Sequence, residues 1–194
     1  MYVILFCLAR CGAGSVPDKI VGFNTDTDSG CVEHRALLQM PVHLRVHRGA
    51  EFSAYELVGE GVTWWEDVLP GAFEFWGWDD VGTSTPNDVV VKFNDVVVGD
   101  LAVLGLTSYE IDDKCEMRDT HIDINFVHAA PDTDHTNRNV MIHEMGHVLG
   151  LAHDKDKASV MYPYVQPGDP VLSPETIDSL HEIYDAKHSV TTED

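Results

Sequence analysis

The chain alternates between short apolar runs and polar, turn-rich stretches. An apolar run from Val3 to Ala9 gives way to residues 12–30, rich in Gly, Ser, Asp and Thr, which read as a loop or linker. Residues 41–46 alternate apolar and polar side chains, as a half-buried strand does. From about Ser53 to Phe75, aromatic and aliphatic residues recur at mixed helical spacing, and a first helix is expected there, ending before Pro70. Residues 88–93 form a strong strand pattern, and residues 101–107 and 121–126 supply further strands. A helix is expected over residues 137–149, with Gly150 suited to its C-terminal cap. The last helix opens on Ser173, an N-cap, with Pro174 at its first position, and runs to about Ala186. No internal repeat interrupts this order. A strand, a helix, several strands and then two helices predict an α+β domain.

Composition narrows the function classes. The 194 residues favour one domain, and 44% hydrophobic residues suffice for a real core. The 33 acidic against 12 basic residues leave a net charge of -21, which argues against nucleic acid as a partner. The acidity reads first as solubility or adaptation to salt, and second as an affinity for calcium, a hard cation that prefers oxygen ligands. Of the four cysteines, none forms a CxxC pair, so a cysteine-based zinc site is not expected.

The first 30 residues are read as a signal- or anchor-like segment with a linker, and residues 31–194 as the main domain. The Val3–Ala9 run is too short to span a bilayer. Leu8-Ala9-Arg10-Cys11-Gly12 loosely resembles a lipobox, in which Cys11 would carry a lipid anchor, although Arg10 stands where that motif wants a small residue. If this segment is removed, Cys31 and Cys115 remain as an even pair, either disulfide-bonded or two buried thiols.

The chemistry concentrates between His143 and Asp154. On a helix, residues four apart share a face, so His143 and His147 can turn both imidazoles to one metal ion. Glu144, next to a ligand, is offset to lean over the metal's open position. Gly150 permits a sharp exit from the helix, after which His153 can return as a third ligand. Three protein ligands with one open place suit catalytic zinc, which activates water and polarises a carbonyl, with Glu144 as the general base. Five fixed positions across eleven residues are far harder to meet by chance than a bare HExxH.

These residues match the metzincin pattern HExxHxxGxxH, and Ser159-Val160-Met161-Tyr162-Pro163 looks like the Met-turn that follows it, with Met161 as a floor beneath the metal site. Within the metzincins the chain most resembles the matrixins, the matrix-metalloprotease family. The Met-turn, residues 172–178 with Ile183 and Tyr184, and residues 119–123 carry that resemblance, which spans residues 40–186 and is strongest after 118. It implies a mixed twisted sheet with an active-site helix and a C-terminal helix, a zinc endopeptidase of proteins or peptides, and a secreted or extracytoplasmic location. It also implies a substrate held as an added strand on a sheet edge, for which Leu101, Ala102, Val103 and Leu104 are candidates, an internal strand being the alternative. Pro163 and Tyr164, with Val165, would line the pocket for the side chain after the cut. The rival reading is a catalytically silent binding module on the same scaffold, and a weaker one an exopeptidase.

Three departures limit what the resemblance carries over. Asp154 follows the third histidine, where matrixins usually have Ser or Thr and adamalysins Asp. His121 fits one place of the histidine set that holds a second zinc in animal matrixins, but Val103 stands at another, so a second zinc is not expected; Asp123 remains a candidate calcium ligand. Arg10-Cys11-Gly12 followed by Val16-Pro17-Asp18 is similar to a cysteine-switch segment but is interrupted by three residues.

Overall fold

The computed structural model describes residues 7–10, 40–47, 52–78, 87–94, 103–111, 117–125, 133–166 and 168–190. Cys11, Cys31, Leu101, Ala102 and Cys115 lie outside them, and with them the lipid-anchor and disulfide readings. The elements are β1 (Cys7–Arg10), β2 (Val42–Val46), α1 (Phe52–Val68), β3 (Phe73–Trp78), β4 (Asp88–Asn94), β5 (Val103–Ile111), β6 (Met117–Asn125), α2 (Thr133–Val148) and α3 (Pro174–Val190).

One six-stranded sheet runs in the order β1-β5-β6-β4-β2-β3. The pairs β3–β2, β2–β4 and β4–β6 are parallel, while β5 is antiparallel to β6 and β1 antiparallel to β5. This is the mixed sheet and α+β order expected from the sequence. Alternate residues of the central strands, Leu44, Val89, Val91, Ile122 and Ile124, are fully buried, as the period of two requires. They join one core with Trp65 of α1 and Met141 and Met145 of α2.

Helix α1 is held by its apolar face. Ala54, Leu57, Val58, Gly61 and Trp65 are buried, at helical spacing, while Glu56, Glu60 and Glu66 face solvent. It ends before Pro70, as expected, and its Trp65 Nε1 donates to Ile142 O of α2 at 3.1 Å. Two strands differ from the sequence reading. β3 follows a Pro-Gly turn in a stretch whose aromatic residues read as part of a helical region; parallel pairing with β2 makes it a strand. β1 lies in the segment read as preceding the domain, yet pairs along β5 from Cys7 opposite Thr107 to Arg10 opposite Val103. Helix α2 also begins four residues earlier than the expected Asn137.

Candidate active site

Helix α2 passes beside β5, β6 and α1. All twelve residues from 139 to 150 are buried, including the polar Asn139, His143, Glu144 and His147. Its C-terminus closes in a Schellman pattern: Gly150 N–H donates to His147 O at 2.9 Å and Leu151 N–H to Gly146 O at 3.0 Å. Gly150 sits at φ 88°, a left-handed conformation that side chains disfavour, and this turn sends the chain back toward the helix. Tyr184 of α3 donates to Leu149 O at 3.1 Å, satisfying a carbonyl that the helix end leaves open.

The turn brings His153 to the two helical histidines. Ring centroids are 4.7 Å apart for His143 and His147, 5.2 Å for His143 and His153, and 5.0 Å for His147 and His153. One nitrogen of each ring lies within 4.8 Å of the others, and this is the one such His/Cys/Asp/Glu group among the described residues. His143 Nδ1 donates to Val160 O at 2.6 Å and His147 Nδ1 to Leu151 O at 2.7 Å. Carbonyls only accept, so both Nδ1 atoms carry hydrogen, and in neutral rings both Nε2 atoms are bare. Those two bare nitrogens face each other at 3.0 Å. Two lone pairs so placed repel unless a cation lies between them, and nitrogens bound to a tetrahedral zinc are about 3.3 Å apart. The donor set therefore fits zinc.

Electrostatics point the same way. Burial holds His143 down at about 4 and His153 at about 3, and lowers His147 well below its ordinary value, with the neighbouring imidazoles adding to the shift in the last two. All three rings are thereby neutral near pH 7 and available as ligands. Burial pushes Glu144 up to about 8, partly countered by Thr107. Thr107 Oγ1 donates to Glu144 Oε2 at 2.7 Å, while Glu144 Oε1, also buried, has no hydrogen-bond partner. Space for this carboxylate comes from Gly105, where a Cβ would stand 2.5 Å from Glu144 Oε1. Gly105 and Thr107 are two apart on β5 and share a face.

Met161 is fully buried. The turn containing it is tied to His143 through Val160 O, and to the residue after His153 through Met161 O, which accepts from Asp154 N at 2.8 Å. Beside His143 a cavity of about 340 Å³ is lined in part by Asn139, Ser159, Val165, Gln166 and Val171. Asn139 Nδ2 donates to Gln166 O at 3.1 Å and Gly168 O at 2.9 Å, tying the outer wall to α2. Pro163 and Tyr164 are half-buried just before that wall, with the Tyr164 ring 5.7 Å from that of Tyr162. Val103 and Leu104 lie on β5, where β1 covers the edge. His121 stands apart from the cluster, beside Asp123 at 3.8 Å on β6.

Sequence reasoning missed Thr107, Gly105 and Asn139. A glycine and a threonine alternating within an apolar strand were the available signal for the first two; nothing local marked Asn139.

A mixed sheet over a helix that offers two histidines and a glutamate, with a third histidine after a glycine turn, is the arrangement of the metzincin class. Residues 53–185 match the Matrixin family, and the chain belongs to it. Matrixins are zinc metalloproteases, generally secreted or extracellular. The chain is similar to interstitial collagenase of Sus scrofa, with 39% identity over 67 residues, 34% of this chain and 14% of the relative. It is similar to matrix metalloproteinase-26 of Homo sapiens, with 38% identity over 72 residues, 36% of this chain and 28% of the relative. It is also similar to a probable matrix metalloproteinase of Invertebrate iridescent virus 3, with 42% identity over 48 residues, 25% and 13% of the two chains. The matched segments thus span under a third of these relatives. No helix among the described residues is long and apolar enough to cross a membrane.

Proposed function

We propose that this protein is a secreted zinc endopeptidase that hydrolyses peptide bonds within proteins. The observation that carries the reading is the pair of bare imidazole nitrogens of His143 and His147, turned inward at 3.0 Å by carbonyls behind them, with His153 beside them. These three residues would hold zinc, which when bound supplies Lewis-acid polarisation of the scissile carbonyl and of water. Glu144 takes the water's proton and passes it toward the leaving amine; a carboxyl whose ordinary affinity for protons is raised by burial suits both halves of that transfer. Thr107 holds one carboxylate oxygen and leaves the other for the proton.

The substrate is read as an extended peptide added to the sheet beside Leu101, Ala102, Val103 and Leu104. Residues 7–10 occupy that side of β5 at Val103–Thr107, so a substrate strand takes the place that β1 holds. The side chain after the cut enters the cavity beside His143, which Val165 lines; Pro163 and Tyr164 precede that wall in the chain and do not line it.

The expected result with the purified protein is casein hydrolysis that a chelator stops and zinc restores. Glu144→Ala keeps the metal and loses activity by about 10³-fold, the scale of a general base. Undiminished activity in that variant overturns the mechanism. A wild-type protein that binds zinc yet cleaves nothing favours the silent binding module.

A further inference from the structure

The residue after the third histidine is built into more contacts than a loop residue needs. Asp154 is partly exposed, but its carboxylate accepts from three donors. Oδ1 takes the backbone N–H of Asp156 at 2.9 Å. Oδ2 takes the Thr176 hydroxyl at 2.8 Å and, at shorter range, the Ser173 hydroxyl. The Asp154 backbone N–H meanwhile donates to Met161 O at 2.8 Å.

Ser173 and Thr176 form the start of α3. Ser173 Oγ accepts from Thr176 N–H at 3.1 Å as the N-cap, so its own hydroxyl proton is free for Asp154. A carboxylate there also faces the positive end of the α3 dipole. The side chain therefore joins the turn bearing His153 to the first turn of α3, and the backbone N–H of the same residue joins that turn to Met161. The other two histidines are oriented by backbone carbonyls at Val160 and Leu151. His153 lies off the helix, and its backbone is held from the adjacent residue.

We propose that Asp154 is a positioning residue of the third metal ligand, its carboxylate clamping the His153 turn to the N-terminus of α3 while its backbone N–H ties that turn to Met161. This rests on the reading of His143, His147 and His153 as zinc ligands. A Ser or Thr at this place carries no second oxygen and cannot accept from all these donors at once.

The test is zinc release rather than turnover. Zinc-loaded protein is mixed with excess chelator and the rate of metal loss followed; the cobalt-substituted protein gives the visible spectrum of the site. Asp154→Ala should release zinc about 10- to 100-fold faster, the usual scale for removing an outer-sphere partner, and shift the cobalt spectrum. Thr176→Val, which removes one donor and keeps the cap, should give a smaller rise of about threefold. The double exchange Asp154→Thr with Thr176→Asp returns a carboxylate to the same contact from the helix side and should recover most of the loss. Val58→Ala in α1, which makes none of the Asp154 contacts, lowers thermal stability and should leave metal release and spectrum unchanged.

Wild-type release rates and an unaltered spectrum in both Asp154→Ala and Thr176→Val overturn the proposal. So does a Val58→Ala variant that releases zinc as fast as Asp154→Ala, because the effect would then be global loosening. Should Asp154→Ala fail to fold, Thr176→Val and the double exchange decide alone. If wild-type protein takes up no zinc, it is the ligand reading that fails.

Discussion

Helices α1 and α2 pack against each other and obey different rules. α1 buries one stripe, from Ala54 to Trp65, and turns Glu56, Glu60 and Glu66 to water. α2 is buried all round over its last turns, and the buried set includes Asn139, His143, Glu144 and His147. A buried polar group without a partner is costly, so most of these polar atoms are answered by specific neighbours, Asn139 Oδ1 and Glu144 Oε1 excepted. Gln166 O and Gly168 O answer Asn139, Val160 O answers His143, Leu151 O answers His147, and Thr107 answers Glu144. α1 is a stabilising helix with ordinary tolerance at its surface. α2 buries polar groups that cost stability, and in the proposed function these are the groups that meet a cation and a substrate.

Substitutions separate the two. The largest effect is expected at Trp65, which is fully buried and donates to Ile142 O. Trp65→Ala should cost about 3–5 kcal/mol of unfolding free energy in denaturant titration. A loss under about 1 kcal/mol would break the view of α1 as the stabilising partner.

Next comes the pH profile of zinc-free protein. The histidines have depressed values in the fold, so the unfolded chain binds more protons below about 6.5, and stability falls as the solution is acidified toward about 4 for His143 and about 3 for His153. Glu144 is raised to about 8, so its contribution is full below about 4.5 and is lost as pH rises through 8. Three histidines outweigh one glutamate on the acid side. Stability should peak near neutrality and drop by roughly 2 kcal/mol at pH 5, read from melting curves. A flat profile between pH 5 and 7 would mean that the histidines are not held neutral.

Thr107→Val keeps shape and removes the hydroxyl that orients Glu144. Activity should fall about tenfold with zinc content unchanged, a cost of about 1.4 kcal/mol in the barrier. Equal kcat/KM in the two proteins would assign Thr107 to packing. The smallest effect belongs to Glu60→Ala, on the solvent side of α1, which should stay within about 0.5 kcal/mol of wild type.

The legibility of the chain follows the same division. Helix α1, strand β4 and the start of α3 were readable because their signals are local: helical spacing with a Pro stop, an apolar run, and a Ser-Pro cap. β3 was not, because its residues carry aromatics that suit either state, and only pairing with β2 selects the strand. β1 was not, since pairing with β5 joins residues almost a hundred positions apart. At the site, the three histidines, Glu144 and Met161 were legible from spacing on one helix, its glycine exit and the following turn. Thr107, Asn139 and the contacts of Asp154 were not, because each depends on a partner from another element.

By itself, then, the sequence determined which donors could come together. The i, i+4 histidines, the adjacent glutamate and the glycine before His153 fix which donors can meet, since helix periodicity and a left-handed turn are properties of neighbouring residues. Only the tertiary structure decided how those donors are prepared. Which ring nitrogen faces inward, which oxygen of Glu144 stays free, and what holds the His153 turn are set by carbonyls and hydroxyls at Leu151, Val160, Thr107, Ser173 and Thr176. Hydrogen bonds act over about 3 Å, and most of these partners reach that distance only when distant strands, turns and helices pack.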